Sequence, residues 1–385
     1  MAEAKPTLVD LFAGCGGVAL GFHEAGFQTL VANELHPDPA LTYQKNLLVG
    51  CEDKMIVGPM QKVFQNKHID ELGIKPFEVD CVAGGPPCQG FSNAGPNIAN
   101  DPRNKLYREY LRVIRKIKPK TLFFENVPGF SNRYGLNLQG HLVSSLEKIG
   151  YRVAYGKIFS CFYGVPQLRQ RFVLIGVHKK FTDKEVISMP RHTWTLAEIN
   201  KHLTAEKVLG DLNVYSDYGT GSNHEPEHYK KPAKTTFQRQ MRKISGTTTK
   251  GVTTNTKIPF HRDIVIKRFE YLLKGHSVDD LKGTDLETRK HSQRALVADK
   301  FPKMTVVSIP DDYVHYDKEM PRTFSVRECA RLQTFPDHFK FYGKRTSGGE
   351  RRKLDCPQYT QVGNAVPPRL ANVFAEHLLS LISLK

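Results

Sequence analysis

The sequence has no long hydrophobic run, a single tryptophan, and no cysteines paired as C-x2-C. A membrane-spanning helix needs roughly 18 to 20 consecutive apolar residues, so no spanning segment is expected. The first residues, MAEAKPTLVDLFAG, lack the basic-then-apolar order of a secretory leader. The seven cysteines, at 15, 51, 81, 88, 161, 329 and 356, are odd in number and scattered, which predicts neither a disulfide framework nor a zinc site. A reducing cytoplasm, with no bound metal, fits that usage. Acidic residues are also in deficit, 39 against 56 Lys and Arg, leaving a formal charge of +17. Such a surplus favours a polyanionic partner, either nucleic acid or an anionic membrane. No internal repeat or low-complexity tract is present.

What is present is enough apolar material for a large core. With 385 residues, 39% of them hydrophobic and 10% aromatic, the chain is predicted to be globular and to form two domains or three. From residue 7 to 177, short apolar runs alternate with helix-like stretches, the pattern of a doubly wound, mostly parallel α/β sheet. The predicted strands are Thr7–Leu11, Thr29–Asn33, Val79–Ala83, Thr121–Glu125, Tyr151–Phe159 and Arg171–Val177. Helices are predicted over Pro102–Lys118 and Leu136–Ile149. From about 190 to 320 the periodicity weakens, which predicts a smaller, irregular domain. Residues 228–305 carry 18 Lys and Arg against 7 Asp and Glu, so a solvated basic surface or a phosphate-binding one is expected there. Helical order returns at Ser325-Val326-Arg327-Glu328, a capping-box pattern opening a helix that stops near Pro336. A last helix is predicted over about Pro368–Leu384.

Five segments carry possible chemistry. In VDLFAGCGGVALGF a strand runs into Gly14, Gly16 and Gly17, where the backbone can turn tightly and approach a ligand. Glu34 stands 20 residues after Gly14, where a carboxylate can accept from ribose hydroxyls. The turn departs from G-x-G-x-x-G, which suits a nucleoside without a pyrophosphate; a purely structural turn is the alternative. In CVAGGPPCQGFS a strand delivers Cys88 from a loop stiffened by Pro86 and Pro87, so Cys88 is either a small buried residue or a nucleophile. In TLFFENVPGF an apolar strand ends in Glu125, an acid that is either ion-paired or functional there. In YGVPQLRQRFVLIG, strand alternation predicts Arg169 and Arg171 on one face, as ligands for a base carbonyl and a carboxylate or as internal ion-pair partners. Finally, YTQVGNAVPPRLANVF supplies Asn364 and a glycine turn.

In the order DLFAGCGG, Asn33-Glu34, GGPPCQGFS, FFENV, QLRQR, RECARLQTFPD and QVGNAVPP, from Asp10 to Pro368, the chain resembles a cytosine-C5 DNA methyltransferase of the prokaryotic restriction-modification type. The resemblance implies an S-adenosylmethionine-dependent methyltransferase fold, with 1–188 and 356–385 as the catalytic and cofactor-binding domain. Residues 189–355 would form the target-recognition domain. The implied partner is double-stranded DNA, bound by a monomer in the cytoplasm, associated with the nucleoid. In the implied chemistry Cys88 attacks C6 of a flipped-out cytosine, Glu125 hydrogen-bonds or protonates N3, Arg169 binds O2 and Arg171 orients Glu125.

For the methyl donor, the resemblance implies Phe12 against adenine, Glu34 on the ribose, and Leu35 and Leu106 as walls. The turn Gly14, Cys15, Gly16 and Gly17, with Pro87, Asn364 and Val366, completes that lining. One position departs from the family: an Asp that commonly follows Gly in the third motif is Pro59 here, in IVGPMQ. On the DNA side, Gln89 and Ser92 of the catalytic loop are implied, and Phe237–Arg242 resembles the start of a recognition domain, with Gln238, Arg239 and Arg242 as contacts.

Three other readings compete. A tRNA cytosine-C5 methyltransferase shares the catalytic residues, but its Cys-Phe-Thr signature is replaced by Cys161-Phe162-Tyr163. An inactive DNA-binding relative is opposed by intact Cys88, Glu125 and Arg169. An NAD-type oxidoreductase rests on the glycine turn alone.

Overall fold

The computed structural model describes residues 4–87, 106–130, 137–212, 227–229, 231–242, 251–288, 293–308, 313–346 and 355–382. The chain divides into two compact units. The first comprises Met1–Tyr163, Gln170–His192 and Val366–Lys385; the second comprises Gly164–Arg169 and Thr193–Ala365.

The first unit is built on a seven-stranded sheet of β1 (Thr7–Leu11), β2 (Gln28–Glu34), β3 (Met55–Val57), β4 (Cys81–Gly84), β5 (Thr121–Asn126), β6 (Tyr151–Phe159) and β7 (Gln170–His178). The spatial order is β3-β2-β1-β4-β5-β7-β6. The strands β1 to β5 run parallel, and β7 runs antiparallel to both β5 and β6. The expected doubly wound, mostly parallel sheet is therefore present. β1 and β6 have the predicted bounds, and the other predicted strands differ at their ends by a residue or two. β3 was not predicted: three residues carry too little pattern to read, and pairing with β2 is what makes them a strand.

The strands are apolar because helices cover both faces. Val9, Val31, Val82, Leu122 and Phe124 are fully or almost fully buried in one cluster with Leu111, Ile114 and Leu142 of the covering helices. Those helices run over Leu106–Ile117 and Leu138–Lys148, the second capped by Asn137, whose Oδ1 accepts from the Gly140 amide at 2.7 Å. The predicted starts at Pro102 and Leu136 lie outside the described residues. On the other face, Gly17–Glu24 packs against Pro368–Leu381, and Gly21 is the contact point. A Cβ there would lie 2.3 Å from the Pro368 carbonyl oxygen, so only glycine lets the two helices close. Gly84 is constrained in the same way, since a Cβ would sit 2.7 Å from the ring of Tyr110.

Among its described residues the second unit has short helices and two-residue strands, and buried polar contacts join an apolar cluster of Phe269, Leu272, Val278, Leu281 and Val314 in holding it. Arg331 is fully buried between Asp211 and Asp337. The predicted capping box forms: the Ser325 amide donates to Glu328 Oε2 at 2.7 Å, and Ser325 Oγ accepts from the Glu328 amide at 3.2 Å. The helix Val326–Leu332 follows, and Thr334, at φ 66°, turns the chain before Pro336.

Candidate active site

The strand order reverses between β1 and β4, and the loops leaving their carboxyl ends are the two glycine-rich segments. A crevice at such a switch point is where open α/β sheets bind ligands. After β1 the backbone turns through Phe12 and Gly14, both at φ 56°, and Gly16 at φ 96° caps the helix that follows. A Cβ on Gly14 would meet nothing within 4 Å, so this part of the loop faces open space. A Cβ on Gly16 would instead fall 2.5 Å from Leu47 Cδ1 and 3.0 Å from the Tyr43 ring. One glycine thus opens towards a ligand and the other closes against the protein.

Glu34, at the end of β2, holds this loop. Its Oε2 accepts from the Gly14 amide at 2.8 Å and its Oε1 from the His36 amide at 2.9 Å. Burial raises its pKa, and the two amides work against that rise. Beside it, Leu35 and Val57 are large apolar side chains left 50% and 44% exposed. Pro59 follows, exposed, at the position where the family commonly has an acid. Phe12 is half-buried against the core and Leu106 is half-buried at its helix start. Open space above Gly14, a buried carboxylate and exposed apolar side chains fit the ribose and adenine of a nucleoside cofactor. Cys15 is buried and Gly17 lies within the first helical turn, so Cys15 can offer a ligand only its main chain. Val366 is buried in the first unit; Asn364, in the second, is exposed, its Oδ1 3.1 Å from Ser308 Oγ.

The second loop carries Gly85, Pro86 and Pro87. Cys88, Gln89 and Ser92 lie outside the described residues. Two neighbours of the loop are well defined. The carboxylate of Glu125, at the end of β5, lies close enough that a Cβ on Gly85 would be 3.5 Å from Oε2. Asn126 donates from Nδ2 to the Pro86 carbonyl at 3.0 Å, while its Oδ1 accepts from the Val127 amide at 2.8 Å. Asn126 lies one residue past the predicted strand end, where no role was expected for it. It ties the proline loop to the strand that presents the acid.

Arg171 meets Glu125 as an ion pair, Nε to Oε1 at 3.0 Å. The register explains this: Glu125 pairs with Val173, and Arg171 lies two residues along the same face of β7. Its Nη1 donates to the Gln170 carbonyl at 2.6 Å, and its Nη2 has no hydrogen bond among the described residues.

Arg169 does not share that face. β7 begins at Gln170, and Arg169 falls in the second unit. There its Nη1 donates to the carbonyls of Val306 and Gly363, each at 3.2 Å, and its Nη2 to those of Gly363 and Ala365 at 3.2 and 3.0 Å. Gln167 joins the same network: its Nε2 donates to the Leu332 carbonyl at 2.7 Å and its Oε1 accepts from the Val306 amide at 2.9 Å. Gln333 Nε2 donates in turn to the Val362 carbonyl at 2.7 Å. Three sequence motifs, around 167, 333 and 363, interlock here through buried amides and one guanidinium.

The sequence also missed a buried acid. Asp10 on β1 is 1% exposed, and its carboxyl is pushed up to about 8 by burial, against the hydrogen bond from Tyr43 and with the charge of Glu34. Tyr43 OH lies 3.1 Å from Thr29 Oγ1, which His23 Nε2 approaches at 2.8 Å. These groups sit beneath the glycine loop, and only the fold brings them together.

In the second unit, the three expected DNA contacts are placed differently. Gln238 is buried and caps its own helix, Oε1 accepting from the Lys234 and Thr235 amides at 2.7 and 3.1 Å. Arg242 pairs with Asp211 at 2.6 Å and lies over the Tyr229 ring, 3.6 Å from its centroid. Arg239 is exposed, and among the described residues it donates to the nearby Lys234 carbonyl and Thr236 hydroxyl. Among the described residues no cluster of metal-ligating side chains occurs, and no helix is long and apolar enough to cross a membrane.

The C-5 cytosine-specific DNA methylase family model matches residues 7–380. The type II methyltransferase M.DdeI of Desulfomicrobium norvegicum is 30% identical over 96% of this chain and 88% of its own length. The type II methyltransferase M.MthTI of Methanothermobacter thermautotrophicus is 31% identical over 96% of each chain. Among solved structures, one described as a DNA modification methyltransferase encoded within an E. coli prophage aligns with a TM-score of 0.74 at 23% identity, covering 98% of this chain and 99% of that one. That likeness bears on the fold, and the family match bears on the chemistry at the end of the sheet: the chain belongs to the C-5 cytosine-specific DNA methylase family.

Proposed function

We propose that this chain transfers the methyl group of S-adenosylmethionine to C5 of a cytosine flipped out of a specific duplex DNA site, as the methyltransferase of a type II restriction-modification system. It acts as a monomer in a prokaryotic cytoplasm. The observation that carries the reading is the Glu125–Arg171 pair beside the Gly85-Pro86-Pro87 loop, one residue before Cys88.

The residues divide the work as follows. Cytosine C5 is a poor nucleophile until a group adds at C6, and a thiolate is suited to that addition. Cys88 forms the bond to C6. Glu125 hydrogen-bonds or protonates N3 and so draws the developing charge into the ring. Arg171 holds the Glu125 carboxylate through Nε, and its Nη2 is the group available for O2. Arg169, with four bonds to main-chain carbonyls, serves by fixing the segments around 306 and 363. Gly14 and Glu34 would hold S-adenosylmethionine, which would supply an electrophilic methyl group to C5 and leave as S-adenosylhomocysteine. Loss of the C5 proton then breaks the bond from C6 to Cys88 and restores the aromatic ring. A base stacked in a duplex exposes neither face of C6, which is why the cytosine must leave the stack. Of the three residues Gln238, Arg239 and Arg242, Arg239 is assigned to a phosphate, which its exposure supports.

The test uses methyl-labelled S-adenosylmethionine with mixed-sequence DNA or with tRNA, and Cys88→Ser alongside. Label is expected in DNA alone and only with the unaltered chain. Label entering tRNA and not DNA overturns the substrate, and undiminished transfer by Cys88→Ser overturns the mechanism.

A further inference from the structure

At the amino end of the parallel strands, away from the two glycine-rich loops, the first unit gathers aromatic rings and lysines. Phe77 precedes β4, Lys118 and Lys120 precede β5, and His178 closes the antiparallel β7, followed by Lys179, Lys180 and Phe181. Phe77 meets the rings of His178 at 4.9 Å and Phe181 at 5.9 Å, and Tyr151 lies edge-on to His178 at 5.0 Å. Two ammonium groups converge on this platform: Lys180 Nζ lies 4.3 Å and Lys118 Nζ 5.9 Å from the centroid of the Phe77 ring. Their charges are thus no farther apart than those two distances together, comparable with the screening length of about 8 to 10 Å at physiological salt. The backbone holds them there. Phe77 at φ 74° and Lys118 at φ 46° are both in the left-handed region, and the Phe77 amide donates to the Ile117 and Lys118 carbonyls at 3.1 and 3.2 Å. Strain of that kind persists only where the surroundings enforce it, and it gathers at ligand sites.

Nearby cations differ in having partners. Lys116 pairs with Asp70, Lys120 with Asp80 and Arg112 with Glu109. Lys118, Lys179 and Lys180 are exposed, and among the described residues no carboxylate pairs with them. Burial, and then the charges of Lys180 and Lys118, push the His178 imidazole below its ordinary value, so the positive field reaches the platform itself. A run of charge is ordinarily a solvated face. Here charges brought from two segments converge on one rigid base. Ammonium tips on such a base fit phosphates spaced along a backbone, and duplex DNA is the phosphate polymer on which this family acts. At about 3.3 Å per residue, β5 puts Lys120 roughly 16 Å from Glu125, so a duplex held at Lys118 is separate from the one whose cytosine meets Glu125.

We propose that Lys118, Lys179 and Lys180 bind the phosphates of a second DNA duplex while the first presents its cytosine. This rests on the reading of duplex DNA as substrate. Two points of contact let the chain pass between segments of a long DNA without leaving both, because the second segment is held at high effective concentration.

The test loads the chain with S-adenosylhomocysteine and one equivalent of a short duplex that it methylates, then titrates a fluorescent cytosine-free duplex and follows anisotropy. Wild type is expected to bind the second duplex with log K falling against log salt at a slope of roughly −2.7, about −0.9 for each of three phosphates. Lys118→Gln combined with Lys180→Gln is expected to reduce that slope by about 1.8 and to leave single-turnover methylation of the short duplex unchanged. Lys62→Gln combined with Lys67→Gln, at two exposed lysines of the same unit, is expected to leave both unchanged. No second duplex bound by wild type, an undiminished slope in the first variant, or an equal loss in the second overturns the site and leaves the substrate reading intact. Tighter binding of polyglutamate than of duplex makes an acidic protein the occupant and overturns the proposal too. A wild type that methylates no DNA overturns the substrate reading, and this proposal with it.

Discussion

Arg171 and Asp10 are the two residues whose surroundings say most about this site. Arg171 reaches Glu125 with one nitrogen and leaves Nη2 without a hydrogen bond among the described residues, the donor proposed for the substrate. Removing one preorganised donor of this kind costs about 10² to 10³ in kcat. Arg171→Ala is therefore expected to lower kcat by about that factor in single-turnover methylation, with S-adenosylhomocysteine binding unchanged. An effect confined to KM would place Arg171 outside the reacting group. Asp10 gives a pH signature. Its carboxyl titrates near 8 in the folded chain and at its ordinary value of 3.8 when exposed. Between about pH 4 and 8 the folded chain thus holds a proton that the unfolded chain has released, so stability falls as pH rises through that window and levels off above it. Asp10→Asn stays neutral throughout, so its Tm relative to wild type is expected to rise from pH 5 to pH 8. A pH-independent difference would contradict the burial argument. The acid Glu125 was legible because an apolar strand ends on it. The division of labour between Arg169 and Arg171 was not: alternation puts both on one face only if the strand includes both, and β7 starts between them.

At the level of elements, the helix Val326–Leu332 shows how a sequence signature can be correct and incomplete. Ser325 and Glu328 form the capping box that their spacing predicts. Glu328 does more than cap: Arg322 binds it through two nitrogens at 2.8 Å each, and His315 Nε2 lies 3.2 Å away. Burial works to raise the Glu328 carboxyl, but Arg322, with the hydrogen bond from His315, holds it well below the usual range. Removing one partner from a buried pair costs about 3 to 5 kcal/mol, because the remaining charge stays buried. Glu328→Ala is expected to lose about that much by urea denaturation, several times the cost of a lost cap alone. A loss near 1 kcal/mol would mean that the cap is its whole contribution. Local spacing reveals the cap, but the partners at 315 and 322 come from outside the helix and leave no periodic trace. Gln238 and Arg242 illustrate the same limit. Their residue types suit DNA, yet one caps its helix and the other stacks on Tyr229.

Across the whole molecule, the first unit was readable because a sheet buried on both faces writes itself as apolar runs separated by turns. The second unit was readable mainly as an interruption of that pattern with an excess of positive charge. Part of its order comes from buried guanidinium and amide networks such as those around Arg331 and Arg169, which have no period to detect. The positive charge fits a polyanionic partner, and the family match identifies the reaction as cytosine-C5 methylation of DNA. The most direct measurement is the chemical identity of the modified nucleoside. Duplex DNA is incubated with the chain and methyl-labelled S-adenosylmethionine, digested to nucleosides and separated by chromatography with mass detection. The label is expected in 5-methyl-2′-deoxycytidine and to vanish with Cys88→Ser. Label in N4-methylcytosine or N6-methyladenine nucleosides would contradict attack at C6 and the roles given to Cys88, Glu125 and Arg171.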